Sequence, residues 1–268
     1  MSVDPFDASL DLLRRLNPKR TGTNLNSIIT IAPDLTEDLL ATVDQPLEVA
    51  RCKSGRDYLL CDYNRDGDSH RSPWTNEYDP PLMDGTVPSE SVRKLEIAAN
   101  EAFDVYRDLY YEGGVSSVYF WNLDDGFAGV ILLKKAPKPS SAAKSSGTWD
   151  SIHVFEANDK QRAWHYKLTS TVILNMVSSG ETLGELDLSG NMTRQAEKEF
   201  PKGEDSDHIA NIGQMVEDLE LKMRNLMQEV YFGKAKDVVA DLRSVASLSA
   251  TNKDRGIHQE MLSGLRQR

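Results

Sequence analysis

The densest group of potential metal ligands in the sequence is the segment DYNRDGDSHR, which begins at Asp62. Asp62, Asn64, Asp66 and Gly67 match the first half of the calcium-binding loop of a helix–loop–helix motif. The twelfth position of such a loop must supply a bidentate glutamate, and this chain has Pro73 there. We therefore interpret the segment as a turn in which Asp and Asn side chains bond to the backbone, and we expect no bound metal.

A metal-assisted hydrolase is the catalytic alternative that these residues suggest, and its basis is the acid-rich segment 62–79. Asp62, Asp66, Asp68 and His70 would be its ligands, but the sequence supplies no further element to complete the site. A stoichiometric divalent ion in the purified protein would favour this alternative over a binding function.

The histidines follow no catalytic or metal-binding pattern. His153 and His165 are placed to face each other across a predicted hairpin, but no nucleophile and no metal-ligand spacing accompany them. The sequence contains no glycine-rich phosphate loop and no Gly-x-Ser-x-Gly motif. We therefore expect no catalytic residue and no cofactor, and structural or surface roles for all 5 histidines.

Composition limits the class of protein further. With 268 residues, 39% of them hydrophobic, the chain can bury one large core or two small ones. The net charge of −11 gives no global case for nucleic-acid binding. The sequence shows neither a signal-peptide pattern nor 18 consecutive apolar residues, so we expect no membrane span. Cys52 and Cys61 are expected to be reduced and structural.

The N-terminal 90 residues predict helices followed by an ordered loop region. Residues 1–50 read as three short helices that pack against one another, with Pro33-Asp34 and Glu37 predicting a capping box for the third. Residues 51–90 predict one short strand around Tyr58–Tyr63 and then a long ordered loop, in which aromatic side chains favour packing.

The middle of the chain predicts a helix and an antiparallel sheet. Ser89 can cap a helix over 89–110 that buries an apolar face. From residue 113 the apolar period changes to two, and Asp124-Asp125-Gly126 and Asn158-Asp159-Lys160 predict hairpin turns. We expect a five-stranded meander over 115–190, a mobile Ser/Lys/Pro linker over 136–148, and an irregular polar segment over 192–207. The predicted apolar face of the helix consists of Val92, Leu95, Ala99, Ala102, Tyr106 and Leu109. The five predicted strands are Val115–Leu123, Phe127–Lys135, Trp149–Ala157, Ala163–Val177 and Leu183–Leu188.

A long helix over 208–249 is predicted by apolar residues at alternating steps of three and four. If it is continuous, its length is about 60 Å at 1.5 Å per residue, so it must cross the body of the protein or project beyond it. We interpret it as a helix lying on the sheet, with two alternatives: a helix that also contacts a second chain, and a coiled-coil scaffold in which 208–249 alone would dimerise. The apolar positions are Ile209, Ile212, Val216, Leu219, Met223, Leu226 and Val230, widened by Met215 and Met227.

The tail over 250–268 carries a second amphipathic pattern. Ile257, Met261 and Leu265 lie at steps of four with Leu262 beside them, which places an apolar stripe on one face of a short helix. From Arg243 onward, five basic and two acidic residues give +3 in a chain of net charge −11. We expect a mobile arm that enters a hydrophobic cleft on an acidic partner. A frayed terminus and a helix packed back on the body are the alternatives.

Taken alone, these patterns predict an α+β interaction protein. A five-stranded meander has exposed edges, and exposed edges invite pairing with another chain. The apolar stripe of the long helix is also wider than a small sheet can cover. Both features predict a partner, and a second copy of the chain would satisfy them equally well.

Several long blocks of the sequence resemble the β-subunit family of the F-actin-capping protein. They span residue 1 to about 247 and are too unusual for chance similarity. The blocks read LLCDYNRDGDSHRSPWTNEYDPPL, YRDLYYEGGVSSVYFWNLDDGFAGVILLKKA, WDSIHVFE, HYKLTSTV, HIANIG and YFGKAKDVV.

The resemblance implies the β half of an obligate αβ heterodimer, with a body over 1–249 and an actin-binding tail over 250–268. It implies that each subunit gives three N-terminal helices to a stalk and five strands to one ten-stranded intersubunit sheet on which the long helices lie. It implies capping of the barbed end of actin filaments without calcium or nucleotide, in the cytoplasmic and cortical actin cytoskeleton. Acidic phosphoinositides and regulators with a capping-protein-interaction motif would antagonise capping.

The resemblance also suggests site residues and leaves one alternative function. It places Arg224 in a basic patch that meets actin and phosphoinositide headgroups, whereas an ordinary helical pairing of Arg224 with Glu220 or Gln228 would have no such role. The other expected actin contacts are the apolar tail residues Ile257, Met261, Leu262 and Leu265. The alternative function is a non-catalytic heterodimeric scaffold whose partner is not actin.

Overall fold

The computed structural model describes residues 4–17, 20–136, 145–180 and 184–234 of the chain. The chain divides into two compact units, Met1–Leu221 and Lys222–Arg268, which are treated separately below. No helix within the described residues is long and apolar enough to span a membrane. The helices are Pro5–Arg15 (α1), Thr21–Ile31 (α2), Thr36–Thr42 (α3), Glu90–Tyr111 (α4) and Asp205–Met227 (α5).

Three short helices at the N-terminus pack around one small core, as predicted. α1 begins after Asp4, whose carboxylate accepts a hydrogen bond from the Phe6 N–H at 2.9 Å, with Pro5 in the first helical position. Leu25 and Leu39 are fully buried at the centre of this core. The other residues of the cluster are Ile28, Phe6, Leu10, Leu13, Ile29, Leu35, Leu40 and Val43.

The predicted capping box at the third helix is wrong. The chain first makes a 3₁₀ turn over Pro33–Leu35, and α3 then begins at Thr36 with Leu35 in the cap position and no side-chain cap bond. Because Asp34 lies inside the 3₁₀ turn, its carboxylate is in the wrong place to bond the first N–H groups of α3. α3 ends at Thr42.

The segment expected to hold one strand and a long loop instead forms two small sheets. Glu48–Arg51 (β1) pairs with Asp57–Leu60 (β2), and a three-stranded sheet follows. Asn64, in the turn just before this sheet, is buried, and its amide donates to the carbonyls of Leu59 and Arg71 at 3.4 and 3.0 Å. Polar side chains replace an apolar pattern here, so the sequence gives no periodic signal for these strands. The three strands are Arg65–Asp66 (β3), Ser69–Arg71 (β4) and Tyr78–Asp79 (β5).

Helix α4 confirms its predicted cap, but only part of its predicted face is buried, namely Val92 and Ala99. The Ser89 hydroxyl accepts the Val92 N–H, and the helix ends where Glu112 turns left-handed before Gly113, at φ +81°. Leu109, predicted to be buried, is 70% exposed, and Ala102 is exposed as well. The buried positions of α4 are Val92, Glu96, Ala99, Asn100, Phe103 and Tyr111.

The large sheet is a five-stranded antiparallel meander, as predicted, but its last three strands are longer than expected. The strands follow chain order across the sheet, and residues 192–201, expected to be irregular, pair with β9 along their whole length. Lys160 pairs with Ala163, which moves the second hairpin turn to Gln161-Arg162. The strands are Val115–Leu123 (β6), Gly126–Lys135 (β7), Ser145–Lys160 (β8), Ala163–Gly180 (β9) and Gly184–Pro201 (β10).

The predicted linker over 136–148 overlaps the start of β8. Residues 145–148 pair with 175–178 of β9, so this part of the segment is strand. The expected mobility of the remaining linker falls on residues 137–144, which lie outside the described residues. Serine and glycine give 145–148 a linker-like composition, and the backbone pairing with β9 decides its conformation.

One face of the sheet joins the N-terminal part of the chain through apolar side chains and a buried ion pair. Leu47, Leu59 and Tyr119 belong to one buried cluster on this face. The Asp150 carboxylate accepts the Leu47 N–H at 2.9 Å and the Lys134 ammonium at 2.8 Å. Burial raises the pKa of Asp150, and the hydrogen bonds and charge of Lys134 oppose this effect.

Helix α5 lies on the opposite face, but its regular part is shorter than predicted. It spans Asp205–Met227 and continues as a π-helix over Gln228–Lys234. The expected continuation over residues 235–249 lies outside the described residues. In the first compact unit, Ile212, Met215, Val216 and Leu219 are buried, which supports the interpretation of a helix packed on a sheet.

The carboxyl group of Glu220 fixes α5 to the rest of the first unit. It accepts hydrogen bonds from the Tyr106 hydroxyl at 2.7 Å and from the Tyr111 hydroxyl. Nε2 of His153 on β8 lies 3.1 Å from the same group, and Nδ1 of His153 lies 2.7 Å from the Ser170 hydroxyl. Glu220 and His153 are both buried, so each bond forms away from competing water.

Glu220→Ala is expected to lower the free energy of unfolding by about 2–4 kcal/mol, because it leaves tyrosine hydroxyls and a histidine buried without their acceptor. Glu217→Ala is the matched control, since Glu217 lies one turn earlier and bonds the Tyr110 hydroxyl at the protein surface. The control should cost less than about 1 kcal/mol. Urea unfolding followed by circular dichroism tests both, and equal losses in the two variants would contradict a central role for Glu220.

Candidate functional site

The feature of the fold that most needs a partner is an edge of the five-stranded sheet. A strand edge presents backbone N–H and C=O groups that must bond to something, and an uncovered edge is a template for another chain. The two edge strands of this sheet are β6 and β10. The two strands differ in whether other described residues bond their outer backbone groups.

Helix α4 covers the β6 edge with polar side chains. The Asn100 amide donates to the Val118 carbonyl and accepts the Val118 N–H, both at 2.9 Å, so it replaces a neighbouring peptide group. One turn earlier, Glu96 accepts the Phe120 N–H at 2.6 Å. Glu96 and Asn100 are buried. The outer backbone groups of Val118 and the Phe120 N–H are therefore already bonded within the chain.

The Glu96 carboxylate is held in place by buried arginine. The Arg71 guanidinium bonds both oxygens of Glu96, at 2.8 and 2.7 Å, and Arg93 also pairs with it. Arg71 is 5% exposed and Glu96 is not exposed at all. Because an isolated buried carboxylate would be very costly, these partners are what allow Glu96 to bond the strand edge.

The opposite edge, along β10, is open as far as the described residues show. Within the described residues, β9 is the strand paired with β10, and no strand or helix is bonded along its outer side. Most of the β10 side chains from 191 to 201 are exposed, whereas the central residues of β6 and β7 are buried. An 18-residue strand left unpaired on one side is a long exposed edge for a protein of this size.

The register of the sheet shows which β10 residues point outward. In an antiparallel strand the N–H and C=O of one residue point to the same side, and successive residues alternate. Val118 bonds α4, so its partner Ile131 must bond His153 on β8. By the same alternation Ser170 on β9 bonds Arg194 on β10. In the second half of β10, the outward backbone groups are those of Thr193, Gln195, Glu197 and Glu199, and no described residue bonds them.

The two faces of the β10 edge differ in chemistry. On the α5 side, Lys198 donates to Asp218 of α5 at 2.8 Å, and Phe200 stacks edge-on against Tyr166. On the other side, Glu197 lies 3.6 Å from His165 of β9. A strand that added to this edge would therefore meet an apolar and basic face on one side and an acidic face on the other.

The predicted acidic segment does not form a metal site. Asp62 lies 3.6 Å from Arg65 within one turn, and the Asp66 carboxylate accepts the Thr86 N–H at 3.4 Å, so both side chains contact groups of the protein itself. No cluster of three or more potential metal ligands occurs in the parts of the chain that the structure describes. His70 lies on β4 and pairs with Asp79 of β5, so it is part of this small sheet.

The histidine pair predicted across the hairpin is wrong. His153 pairs with Ser170, and His165 pairs with Asn158, because the turn lies farther along the chain than expected. A different histidine contributes to the structure: His208, at the start of α5, lies 2.6 Å from the Tyr166 hydroxyl and edge-on to Trp164. Burial lowers the pKa of His208, although the negative charges of Asp205 and Asp207 act to raise it.

The cysteines are both free, as predicted. Burial raises the pKa of the Cys61 thiol to about 12, which keeps it protonated and unreactive. Burial also opposes ionisation of Cys52, but hydrogen bonds from Ser54 and from the nearby backbone lower its pKa on balance.

The predicted actin-contact residues divide between described and undescribed parts of the chain. Arg224 lies in the last turn of α5 and is half-buried. Ile257, Met261, Leu262 and Leu265 lie outside the described residues. The sequence patterns missed the roles of Glu96, Asn100 and Glu220. The available signal for Glu96 and Asn100 was their spacing, since they lie one turn apart and beside the apolar positions Val92, Ala99 and Phe103.

Comparison with known proteins gives a consistent result. The family described as "F-actin capping protein, beta subunit" matches residues 6–239. The F-actin-capping protein subunit beta of Emericella nidulans is 70% identical over 266 residues, covering 99% of both chains. Its counterpart in Drosophila melanogaster is 54% identical, covering all of this chain and 98% of its own.

A solved structure shares the fold. The homodimeric actin capping protein alpha subunit from Plasmodium berghei superposes with a TM-score of 0.55 over 89% of this chain and 95% of its own. The sequence identity is 16%, so the likeness concerns the architecture alone.

Asn100→Leu is expected to lower the free energy of unfolding by about 2–4 kcal/mol, because it leaves the buried N–H and C=O of Val118 without partners. Leucine has the same branching as asparagine and is the larger side chain, so a cavity does not explain the loss. Glu101→Gln, at the adjacent exposed position, is the control and should stay within about 0.5 kcal/mol of the wild type. An Asn100→Leu protein as stable as this control in urea would show that α4 does not protect the β6 edge.

Proposed function

Since the chain belongs to the family of F-actin capping protein β subunits, we propose that it is one half of a heterodimer that binds the barbed ends of actin filaments and blocks subunit addition and loss. The observation that carries this proposal is the asymmetry of the sheet, with one edge covered by α4 and the other open along β10. The proposed activity is binding, not catalysis, and it uses no metal or cofactor.

The open edge supports a shared sheet. Five strands of a capping protein α subunit added along β10 would bond the outward groups of Thr193, Gln195, Glu197 and Glu199 and make one ten-stranded antiparallel sheet. A β6 junction is disfavoured because Asn100 and Glu96 already bond that edge. Since the outer side of β10 offers backbone groups over 18 residues, the junction can be long and continuous.

The N-terminal helices support an intersubunit stalk. Leu12 and Leu16 are 48% and 37% exposed, and Ile31 is 83% exposed, although each belongs to or adjoins a helix with an apolar face. Three helices of seven to eleven residues cannot cover all of these side chains themselves. We propose that helices of the α subunit pack against them, which would remove this apolar surface from water.

Arg224 and the tail are the proposed actin contacts. Arg224 would contribute positive charge toward the acidic filament, and Ile257, Met261, Leu262 and Leu265 would insert as an amphipathic segment into a hydrophobic cleft of actin. The charge distribution supports this division of roles, because residues 243–268 carry +3 in a chain of −11. We propose that the tail governs dissociation and that Arg224 contributes to capture.

The remaining elements of the proposal follow from family membership. Capping would be independent of calcium, and it would take place in the cytoplasm at cortical actin structures. Acidic phosphoinositides would compete with actin for Arg224, and regulators carrying a capping-protein-interaction motif would bind the dimer separately. The alternative function, a heterodimeric scaffold whose partner is not actin, would share the dimer contacts and lack barbed-end binding.

Gln195→Pro is expected to weaken association with the α subunit by roughly tenfold to a hundredfold, since proline removes an outward N–H and adds bulk at the junction. The backbone ladder with β9 should survive, because the N–H of Gln195 points away from β9, and the side-chain bond from Gln195 to Thr169 that is also lost is exposed to solvent. Ala196→Pro is the contrasting variant: it removes a group that bonds β9 and should impair folding of the chain itself. Co-expression with a tagged α subunit and quantitative co-purification measure the effect, and full recovery of the Gln195→Pro heterodimer would refute a β10 junction.

Met261→Asp with Leu265→Asp is expected to speed dissociation from barbed ends at least about tenfold, because a carboxylate is costly to bury in an apolar cleft. Arg224→Ala should instead slow capture, and more so at low salt. Elongation of pyrene-labelled actin from capped seeds gives both rates, with the thermal midpoint of each heterodimer as the folding control. Unchanged rates in all variants would refute these contact residues, and a wild-type heterodimer that does not cap would favour the scaffold alternative.

A further inference from the structure

A second surface of the first compact unit is a cleft between helices α4 and α5. Its volume is about 710 Å³, within the usual range for ligand pockets. It lies at the N-terminal ends of both helices, between Leu95 and Ala98 on α4 and Ile209 on α5. Neither a residue of β10 nor Arg224 is among its described lining residues.

The cleft stays open because the helices are held together at one end and have small side chains at the other. Tyr110 and Tyr106 of α4 donate to Glu217 and Glu220 of α5, which ties the C-terminal half of α4 to α5. Toward the N-termini, α4 carries Ala98 and α5 carries Gly213. A Cβ added at Gly213 would meet no atom within 4 Å, so space remains beside this face of α5.

The rim of the cleft is acidic. Glu90 stands at its α4 end and Asp205 at its α5 end. Among the described residues that line it, Lys94 is the basic one, and it already pairs with Glu90 at 3.0 Å. Glu204 and Asp207 extend the negative charge on either side of Asp205. An apolar floor with an acidic rim is complementary to a basic, amphipathic ligand.

We propose that this cleft docks a basic amphipathic segment of a partner protein. An aliphatic side chain of the partner packs on Leu95, Ala98 and Ile209. A lysine or arginine one turn away pairs with Glu90 or Asp205. The rim charge argues against acidic actin and against the acidic body of a second copy of this chain as the occupant. The proposal stands independently of the capping function, because it rests on a different surface.

The test uses the heterodimer obtained by co-expression with a capping protein α subunit. The probe is a short fluorescein-labelled peptide of leucine and lysine, with all leucines on one helical face, titrated by fluorescence anisotropy at low and physiological salt. We expect saturable binding to the wild type. A peptide of the same composition with leucines on every face should bind more weakly, since it cannot present an apolar stripe.

Two variants fill the cleft and two pairs test its charge. Ala98→Phe should weaken binding at least about tenfold, because it occupies the site of an apolar side chain. Ser206→Phe, at an exposed lining position of α5, serves as a second blocking variant. Glu90→Gln with Asp205→Asn should weaken binding several-fold and reduce its salt dependence. Glu101→Gln with Asp125→Asn changes the net charge equally at exposed positions outside the cleft and should bind as the wild type.

Capping of pyrene-actin seeds is measured in parallel and should be unchanged in all four variants, which separates this proposal from the capping function. Loss of peptide binding in the blocking variants and in the cleft charge pair, with wild-type binding in the control pair, supports the proposal. No saturable binding to the wild type, unchanged binding in both blocking variants, or equal losses in the two charge pairs would overturn it.

Discussion

The requirement that backbone hydrogen-bonding groups find partners governs this fold more than any single apolar contact. A five-stranded meander has two edges, and among the described residues the side chains of α4 cover the β6 edge. Asn100 does so by presenting an amide in the geometry of a peptide group. No described strand or helix bonds the outer side of β10, which is why we propose that edge as the place where a partner adds to the sheet.

Covering one edge with polar side chains requires buried charge, and buried charge requires further partners. Glu96 bonds β6 only because Arg71 and Arg93 neutralise it, and Arg71 in turn belongs to the small sheet of β3, β4 and β5. The acid-rich segment therefore has a structural use: it builds the platform that holds Arg71. Removing any member of such a network leaves the others unsatisfied, which makes the region sensitive to single substitutions.

The same reasoning applies to the helix face of the sheet. Glu220 bonds α4 and β8 together beneath α5, while the apolar residues Ile212, Val216 and Leu219 supply non-directional burial. Apolar contact alone would allow α5 to slide along the sheet, and directional bonds to a buried carboxyl group fix its position. A fixed α5 is what gives the cleft beside α4 a defined shape and gives the α5 surface a defined orientation for a partner.

Local patterns in the sequence determined the number and type of the main elements. Steps of three and four identified α5, Ser89 identified the start of α4, and Asp124-Asp125 identified the first hairpin turn, because each signal depends on neighbours in the chain. The long and unusual sequence blocks also sufficed to place the chain in its family.

Tertiary structure alone decided which edge is covered and how far β10 extends. Asn100 meets Val118 across 18 positions, Glu220 meets Tyr111 across 109, and β10 takes strand form from β9 although its composition is polar. A polar residue gives the same local signal whether it faces water or a buried partner. Its role depends on what the fold brings to it from elsewhere in the chain, and that is information that no short window of the sequence contains.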